Sequence, residues 1–286
     1  MGLRRDKGKN KTLTVVRGNH ILNAQDFRTR RWILAAGACF VGGCGFRKDM
    51  QDLRPGEEGH VVQVRDGDAL VLNTGLVVRL AEIEAPRAAW RDRKADAYGE
   101  DAKALLTQAA LGRRAQIFYG GLTRDRYERA ITHVIVKDET GRDIWANGLM
   151  VRSGAARVHS WADNCTRARQ LYALENEARS AGRGLWALPQ YAPISPNEMP
   201  DQGRGLVLVE GQIRRLIETD EADSFCRSAS DAGLELELGL VLSRSRGRIP
   251  IEVGDKVRVR SGLRISDDGR RFLKLDHWAQ FELLTA

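Results

Sequence analysis

The chain has 286 residues, of which 42% are hydrophobic and 29% charged, and a formal net charge of +8. That is the composition of an ordinary soluble globular chain with one or two domains, which excludes a low-complexity protein or one built on a disulfide framework. The charge does not mark a nucleic-acid binder, because residues 1–43 hold nine Lys/Arg against two Asp and so carry seven of the eight net positive charges.

Those first residues read as an address. Arg30-Arg31 leads into the apolar run Trp32 to Gly43, too short to span a bilayer comfortably, for which about 20 residues are needed. Val41-Gly42-Gly43-Cys44 resembles a bacterial lipobox, and Thr29-Arg30-Arg31-Trp32-Ile33-Leu34 loosely resembles a twin-arginine motif. The expectation is an export signal over 1–43 and lipid attachment at Cys44, giving a membrane-anchored lipoprotein of the bacterial cell envelope that faces the periplasm or exterior. The plainer alternative is a basic arm followed by a buried apolar segment. An oxidising compartment permits a Cys165–Cys226 disulfide, and the five histidines (20, 60, 133, 159, 277) are scattered without zinc-ligand spacing.

A tether is expected over 44–58, with Pro55-Gly56 in it, and a domain over 59–188. Strands are predicted at His60–Val64, Ala69–Leu72 and Leu76–Ile83, the last two joined by a hairpin turn at Asn73-Thr74-Gly75. A helix is predicted over Asp96–Leu111, its Leu105, Leu106 and Ala109 at helical spacing and Gly112 placed to stop it. Strands at Ala115–Tyr119 and Arg129–Val136 follow, with Asp125–Glu128 as a loop between them. Asp143 is expected to cap a helix ending at Gly154; Ala155–Val158 is extended, and Asn164–Ala181 is the longest helical signal. Pro189, Pro193, Pro196 and Pro200 mark a linker over 189–204. Residues 205–286 read as a second, small all-β domain, a sandwich or a barrel of OB-like type, with strands at Leu206–Ile217, Leu234–Leu242, Lys256–Val259, Phe272–Leu275 and Phe281–Leu284. Its small net negative charge argues against general nucleic-acid affinity.

The hairpin holds the chemistry. Asp66 and Asp68 stand at the start of one strand, Glu82 and Glu84 at the end of the next, and antiparallel pairing brings Asp68 toward Glu84. Two converging carboxylates with Arg79 on the strand between them suit a hard cation and a phosphate. The plain reading is a surface hairpin with charged ends.

Five pieces in order tip the balance: Asp66-Gly67-Asp68, Arg79-Leu80-Ala81-Glu82-Ile83-Glu84-Ala85-Pro86, Tyr98-Gly99-Glu100, Asp125-Arg126-Tyr127-Glu128-Arg129 and Ala181-Gly182-Arg183-Gly184-Leu185-Trp186. Together they resemble the staphylococcal-nuclease-like (thermonuclease) family from about His60 to Trp186. The resemblance implies an α+β fold, an OB-like five-stranded barrel with packed helices, and calcium-dependent hydrolysis of DNA or RNA. It also implies that Asp68, Glu84 and the Ala85 carbonyl are Ca²⁺ ligands and that Arg79 and Arg129 clamp the phosphate.

Four departures stand out. Glu84 replaces the usual Asp, Ala69 and Ala85 replace Thr, and Glu128 replaces the Gly of D-x-Y-G-R. Arg87 replaces the Glu that the family's pattern offers as water-activating base, and a guanidinium accepts no proton near neutrality. Glu82, Asp92, Glu100 and Asp101 are the neighbouring carboxylates that remain as substitutes. Two readings follow: an exported nuclease of reduced activity, or a non-catalytic envelope module that binds a partner on an OB-like barrel.

Overall fold

Five strands rich in Val, Leu and Ile close into a barrel in the computed structural model. The structure describes residues 50–199, 205–217, 227–229, 235–238, 252–265, 271–275 and 277–284. The segment ending at Cys44, and Cys226, lie outside them; Cys165 is a free thiol. In chain order the first part comprises β1 (Arg54–Asp66), β2 (Ala69–Leu72), β3 (Val77–Leu80), β4 (Ile83–Glu84), α1 (Gly99–Ala110), β5 (Arg114–Tyr119), β6 (Ala130–Lys137), β7 (Asp143–Trp145), α2 (Ala146–Arg152), β8 (Arg157–Val158) and α3 (Ala168–Ser180). The barrel runs β3-β2-β1-β5-β6 and closes by parallel pairing of β3 with β6, which sets Arg79 beside Ile131. This is the OB-like five-stranded barrel with packed helices. β1 is long enough to pair with β5 through its first half and β2 through its second, with irregularities between Val61 and Gln63 and between Val64 and Asp66 that bend it around. Leu70, Leu72, Val78, Leu80, Ile117 and Val134 fill the interior and meet Leu106, Met150 and Leu171 from the three helices.

The described regular elements of the second part are one short helical turn and the strands β9 (Leu206–Gln212), β10 (Arg215–Ile217), β11 (Arg227–Ala229), β12 (Glu235–Leu238), β13 (Lys256–Ile265), β14 (Arg271–Leu275) and β15 (Phe281–Leu283). β9 and β15 flank β13, and Val209, Val257, Val259, Leu263, Leu273 and Leu275 form a separate core.

Several boundaries move for physical reasons. The tether expected over 44–58 overlaps β1, because residues 54–58 already pair with β5. The strand expected over Leu76–Ile83 breaks at Glu82, whose φ of 61° turns the chain between β3 and β4. α1 begins at Gly99 rather than Asp96: Tyr98 is left-handed at φ 68°, and Asp96 is tied by backbone and side chain to Arg87. Asp143 does not cap a helix; it lies in β7 and pairs with Lys137. α3 starts at Ala168, since the Asn164 amide donates to the Leu122 carbonyl (2.9 Å) and holds residues 161–164 in a turn. The proline-rich stretch is docked rather than loose through Met199. Tyr191 donates its hydroxyl to the Ala97 carbonyl (2.7 Å), and the Ile194 N–H donates to the Leu208 carbonyl of β9 (2.9 Å). The strand expected over Leu206–Ile217 divides into β9 and β10. None of the described helices is long and apolar enough to cross a membrane.

Candidate active site

The site assembles where β1 turns into β2 and the chain leaves β4. Asp68, only 6% exposed, accepts the Ala85 N–H (2.8 Å) on Oδ2 and pairs on the same oxygen with the Arg79 guanidinium. A single backbone hydrogen bond thus joins the two ends of the hairpin and places Asp68 next to Glu84. Gly67 is required between the two aspartates, because a Cβ there would lie 2.7 Å from the Ala85 Cβ and 2.8 Å from the Ala102 Cβ of α1. Carboxylates hold the segment after β4 amide by amide. Asp68 takes Ala85, Asp96 takes Arg87 (3.0 Å), Asp66 takes Ala88 (2.8 Å) and Glu100 takes Ala89 (2.7 Å). Burial pushes the Asp66 carboxyl above its ordinary value, partly offset by the Ala88 N–H.

Glu84 is half-buried on β4, which pairs with β8 so that Glu84 faces Arg157. Its Oε2 lies 2.6 Å from His159 Nδ1, and its Oε1 lies 3.7 Å from the Arg157 guanidinium. Burial raises its pKa, but the His159 hydrogen bond and the charges of His159, Arg157 and Arg79 outweigh that and bring it down to about 2. The His159 ring in turn packs on exposed Trp161, with ring centroids 4.4 Å apart. Arg157, His159 and Trp161 had no signal in the sequence, because β8 is two residues long and its partner lies more than seventy positions away.

Arg129 sits in the loop before β6, one residue ahead of Ala130, which pairs with Val78 of β3. Asp125 folds the loop around it: its carboxylate accepts the Tyr127 and Arg129 amides (2.9 and 3.0 Å) and the Arg129 Nε (2.7 Å). Glu128 takes the left-handed conformation, φ 60°, that a Gly adopts without strain. Arg129 is therefore held in the loop that leads into β6, the strand paired with the one carrying Arg79, without a direct contact to Asp68 or Glu84 among the described residues.

Of the four candidate substitute bases, Glu82 is withdrawn into the core. Its carboxylate accepts the Arg167 N–H (3.0 and 3.1 Å) just before α3 and meets His133 at 3.2 Å, so it anchors that helix. Glu100 is engaged by Ala89, while Asp92 and Asp101 are exposed, as is Arg87.

A hard cation suits this donor set. Asp68 Oδ1 accepts no hydrogen bond among the described residues, while Glu84 Oε1 faces the Arg157 guanidinium at 3.7 Å, so a cation held by these two carboxylates would share Glu84 with Arg157. Calcium tolerates irregular shells of six to eight oxygens and can draw the rest from a carbonyl, water and substrate.

Comparison with known proteins places residues 77–188 in a match to the family model described as "Staphylococcal nuclease homologue". An "Uncharacterized endonuclease" of Escherichia coli O157:H7 is 33% identical over 132 residues, covering 45% of this chain and 76% of that protein. A "Micrococcal nuclease" of Shigella flexneri is 30% identical over 138 residues, covering 46% and 74%. A "Probable endonuclease LCL3" of Phaeosphaeria nodorum is 30% identical over 151 residues, 47% of this chain and 49% of that one.

Proposed function

Since the chain belongs to the staphylococcal nuclease homologue family, we propose that it hydrolyses phosphodiester bonds of DNA or RNA at the face shared by Asp68, Arg79, Glu84 and Arg129. The observation that supports this reading is the junction of Asp68, paired with Arg79, to the N–H of Ala85, the residue that follows Glu84. Arg79 lies on β3 and Arg129 in the loop that leads into the adjoining β6, and their planar forks suit the oxygens of a phosphate held between them. As negative charge builds on phosphorus, both guanidiniums hold it, and Asp125 keeps Arg129 from swinging away. Asp68 and Glu84 would hold the calcium ion, with the Ala85 carbonyl as a further donor. When bound, that ion neutralises charge on the phosphate as a Lewis acid. Attack by water forms a new P–O bond on one side while the sugar oxygen leaves on the other and takes up a proton. Arg87 cannot accept the proton that this water gives up, so it passes to solvent, which also supplies the proton taken up by the leaving sugar oxygen.

In the full chain, Arg129→Ala is expected to lower kcat/KM on single-stranded DNA by about 10²- to 10³-fold, the usual cost of losing one charge-stabilising donor. Undiminished calcium-dependent cleavage by the folded variant would remove Arg129 from the site. Arg87 favours the second reading, a module that keeps the barrel for binding only. Wild-type protein that binds oligonucleotides but leaves them intact at high concentration would establish that reading instead.

Export to the cell envelope is the accompanying proposal, supported by residues 30–44. Cys44→Ala is expected to abolish labelling by radioactive palmitate in a bacterial host; equal labelling of the variant would dismiss the lipid anchor.

A further inference from the structure

At the opposite end of the loop that carries Arg129 lies a cavity of about 490 Å³, lined by Arg54, Gly56, Glu57, Tyr119, Thr123 and Arg124. Its centre is an aromatic ring set between two cations. The Arg54 guanidinium lies 5.1 Å from the Tyr119 ring centroid and that of Arg124 lies 5.9 Å from it, while Arg124 Nη1 donates to the Tyr119 hydroxyl (2.9 Å). Neither arginine is ion-paired to a carboxylate among the described residues. The one acid in the cavity, Glu57, accepts the Thr74 hydroxyl (3.2 Å). The ring is seated by a close approach: a Cβ on Gly56 would lie 2.6 Å from Tyr119 Cε2 and 2.8 Å from Ile117 Cγ1.

The cavity is also linked to the site. Ile131 stands beside Arg79 in the barrel register, and its N–H donates to the Thr123 carbonyl (3.1 Å). Thr123 is thus two strand spacings from Arg79, about 10 Å. Arg124 bridges to Ala130, the neighbour of Arg129. Between them the same loop exposes Tyr127, with Arg126 at 4.8 Å from its ring centroid. Tyr119, Arg124, Arg126, Tyr127 and Arg129 thus follow one another along a single stretch of chain, with the Arg129 guanidinium 5.5 Å from the Tyr127 ring centroid.

Resting on the nuclease reading, we propose that the Arg54–Tyr119–Arg124 cavity is a second nucleotide subsite, which grips a single strand of DNA or RNA beside the nucleotide whose phosphate sits at Arg79 and Arg129. The guanidiniums pair with a backbone phosphate, and their planar faces with the Tyr119 edge receive a base. OB-type barrels engage roughly 4–16 nucleotides of single strand, so a footprint wider than the cleaved bond is expected on this fold.

The test uses the full chain and fluorescence anisotropy with labelled oligodeoxythymidine and oligouridine of roughly 12 nucleotides, a length within that footprint. Chelator is present so that nothing is cut, and an unlabelled dinucleotide serves as competitor. Arg54→Ala/Arg124→Ala should weaken the long oligomers about tenfold or more and lower the salt slope by about 1.4, the share of two phosphate contacts on a single strand. Dinucleotide affinity should fall far less. Gly56→Ala, which displaces the ring without removing charge, should weaken the same oligomers. A folded double variant with wild-type affinity and salt slope on both oligomers overturns the subsite. Wild-type protein that binds no oligomer overturns the nuclease reading, and the subsite with it.

Discussion

Arg87→Glu in the full chain is expected to raise calcium-dependent cleavage of single-stranded DNA by about 10²- to 10⁴-fold, the range a positioned general base contributes. The backbone at this position is already fixed, because the Arg87 N–H donates to Asp96 (3.0 Å) and its carbonyl accepts the Asp96 N–H (2.9 Å). The arginine side chain is exposed, so the exchange asks for no repacking. Position 87 is two residues beyond Ala85, whose N–H is bonded to Asp68. Removing the cation also favours calcium binding, so single-turnover rates at saturating calcium are needed to separate base catalysis from metal affinity. A folded Arg87→Glu variant no faster than wild type at saturating calcium would mean that a carboxylate at 87 is not what the site lacks.

Glu175→Ala is expected to cost about 3–5 kcal/mol, the usual penalty for breaking a buried ion pair by removing one partner. Glu175 is fully buried on α3. One of its oxygens accepts the Val158 N–H of β8 (2.7 Å), and the other pairs with Arg260 of β13. Arg260 is itself buried, pairs also with Glu282 of β15, and lies 4.2 Å from the Tyr172 ring centroid. The Tyr172 hydroxyl donates to the Ala279 carbonyl, and Arg157 donates to the Leu206 carbonyl (3.0 Å). These contacts join the barrel to the second core and hold β8, which carries Arg157 and leads into His159. At 2–4 °C per kcal/mol for a chain of this size, Tm should fall by about 6–20 °C in differential scanning calorimetry. A Glu175→Gln control, which keeps the shape, separates lost charge from lost packing. A Tm within about 2 °C of wild type for Glu175→Ala would show that the network contributes little to stability.

The same network exposes the limit of reading along the chain. Along β13, Lys256, Arg258 and Arg260 alternate with Val257 and Val259, a pattern that by itself reads as a strand with one solvated face. Alternation assigns a residue to a face, but it cannot say that the face meets a glutamate eighty-five positions earlier. Glu82 was misjudged for the same reason. Its place at a strand end gave it the look of a free carboxylate, while its true partners are an amide at 167 and an imidazole at 133.

By itself the sequence determined what depends on short-range pattern and ordered motifs: the Asn73-Thr74-Gly75 hairpin, the barrel strands within a few residues, the helices and the family. Each of these follows from alternation, turn chemistry or spacing within a few tens of residues. Only the tertiary structure decided that Glu84 lies against His159 and Arg157, that Asp125 holds Arg129, that Gly56 seats Tyr119 between two arginines, and that Glu175 joins the two cores. Those contacts depend on barrel closure and on the docking of one core against the other, and both are set by packing between segments that carry no local sign of each other.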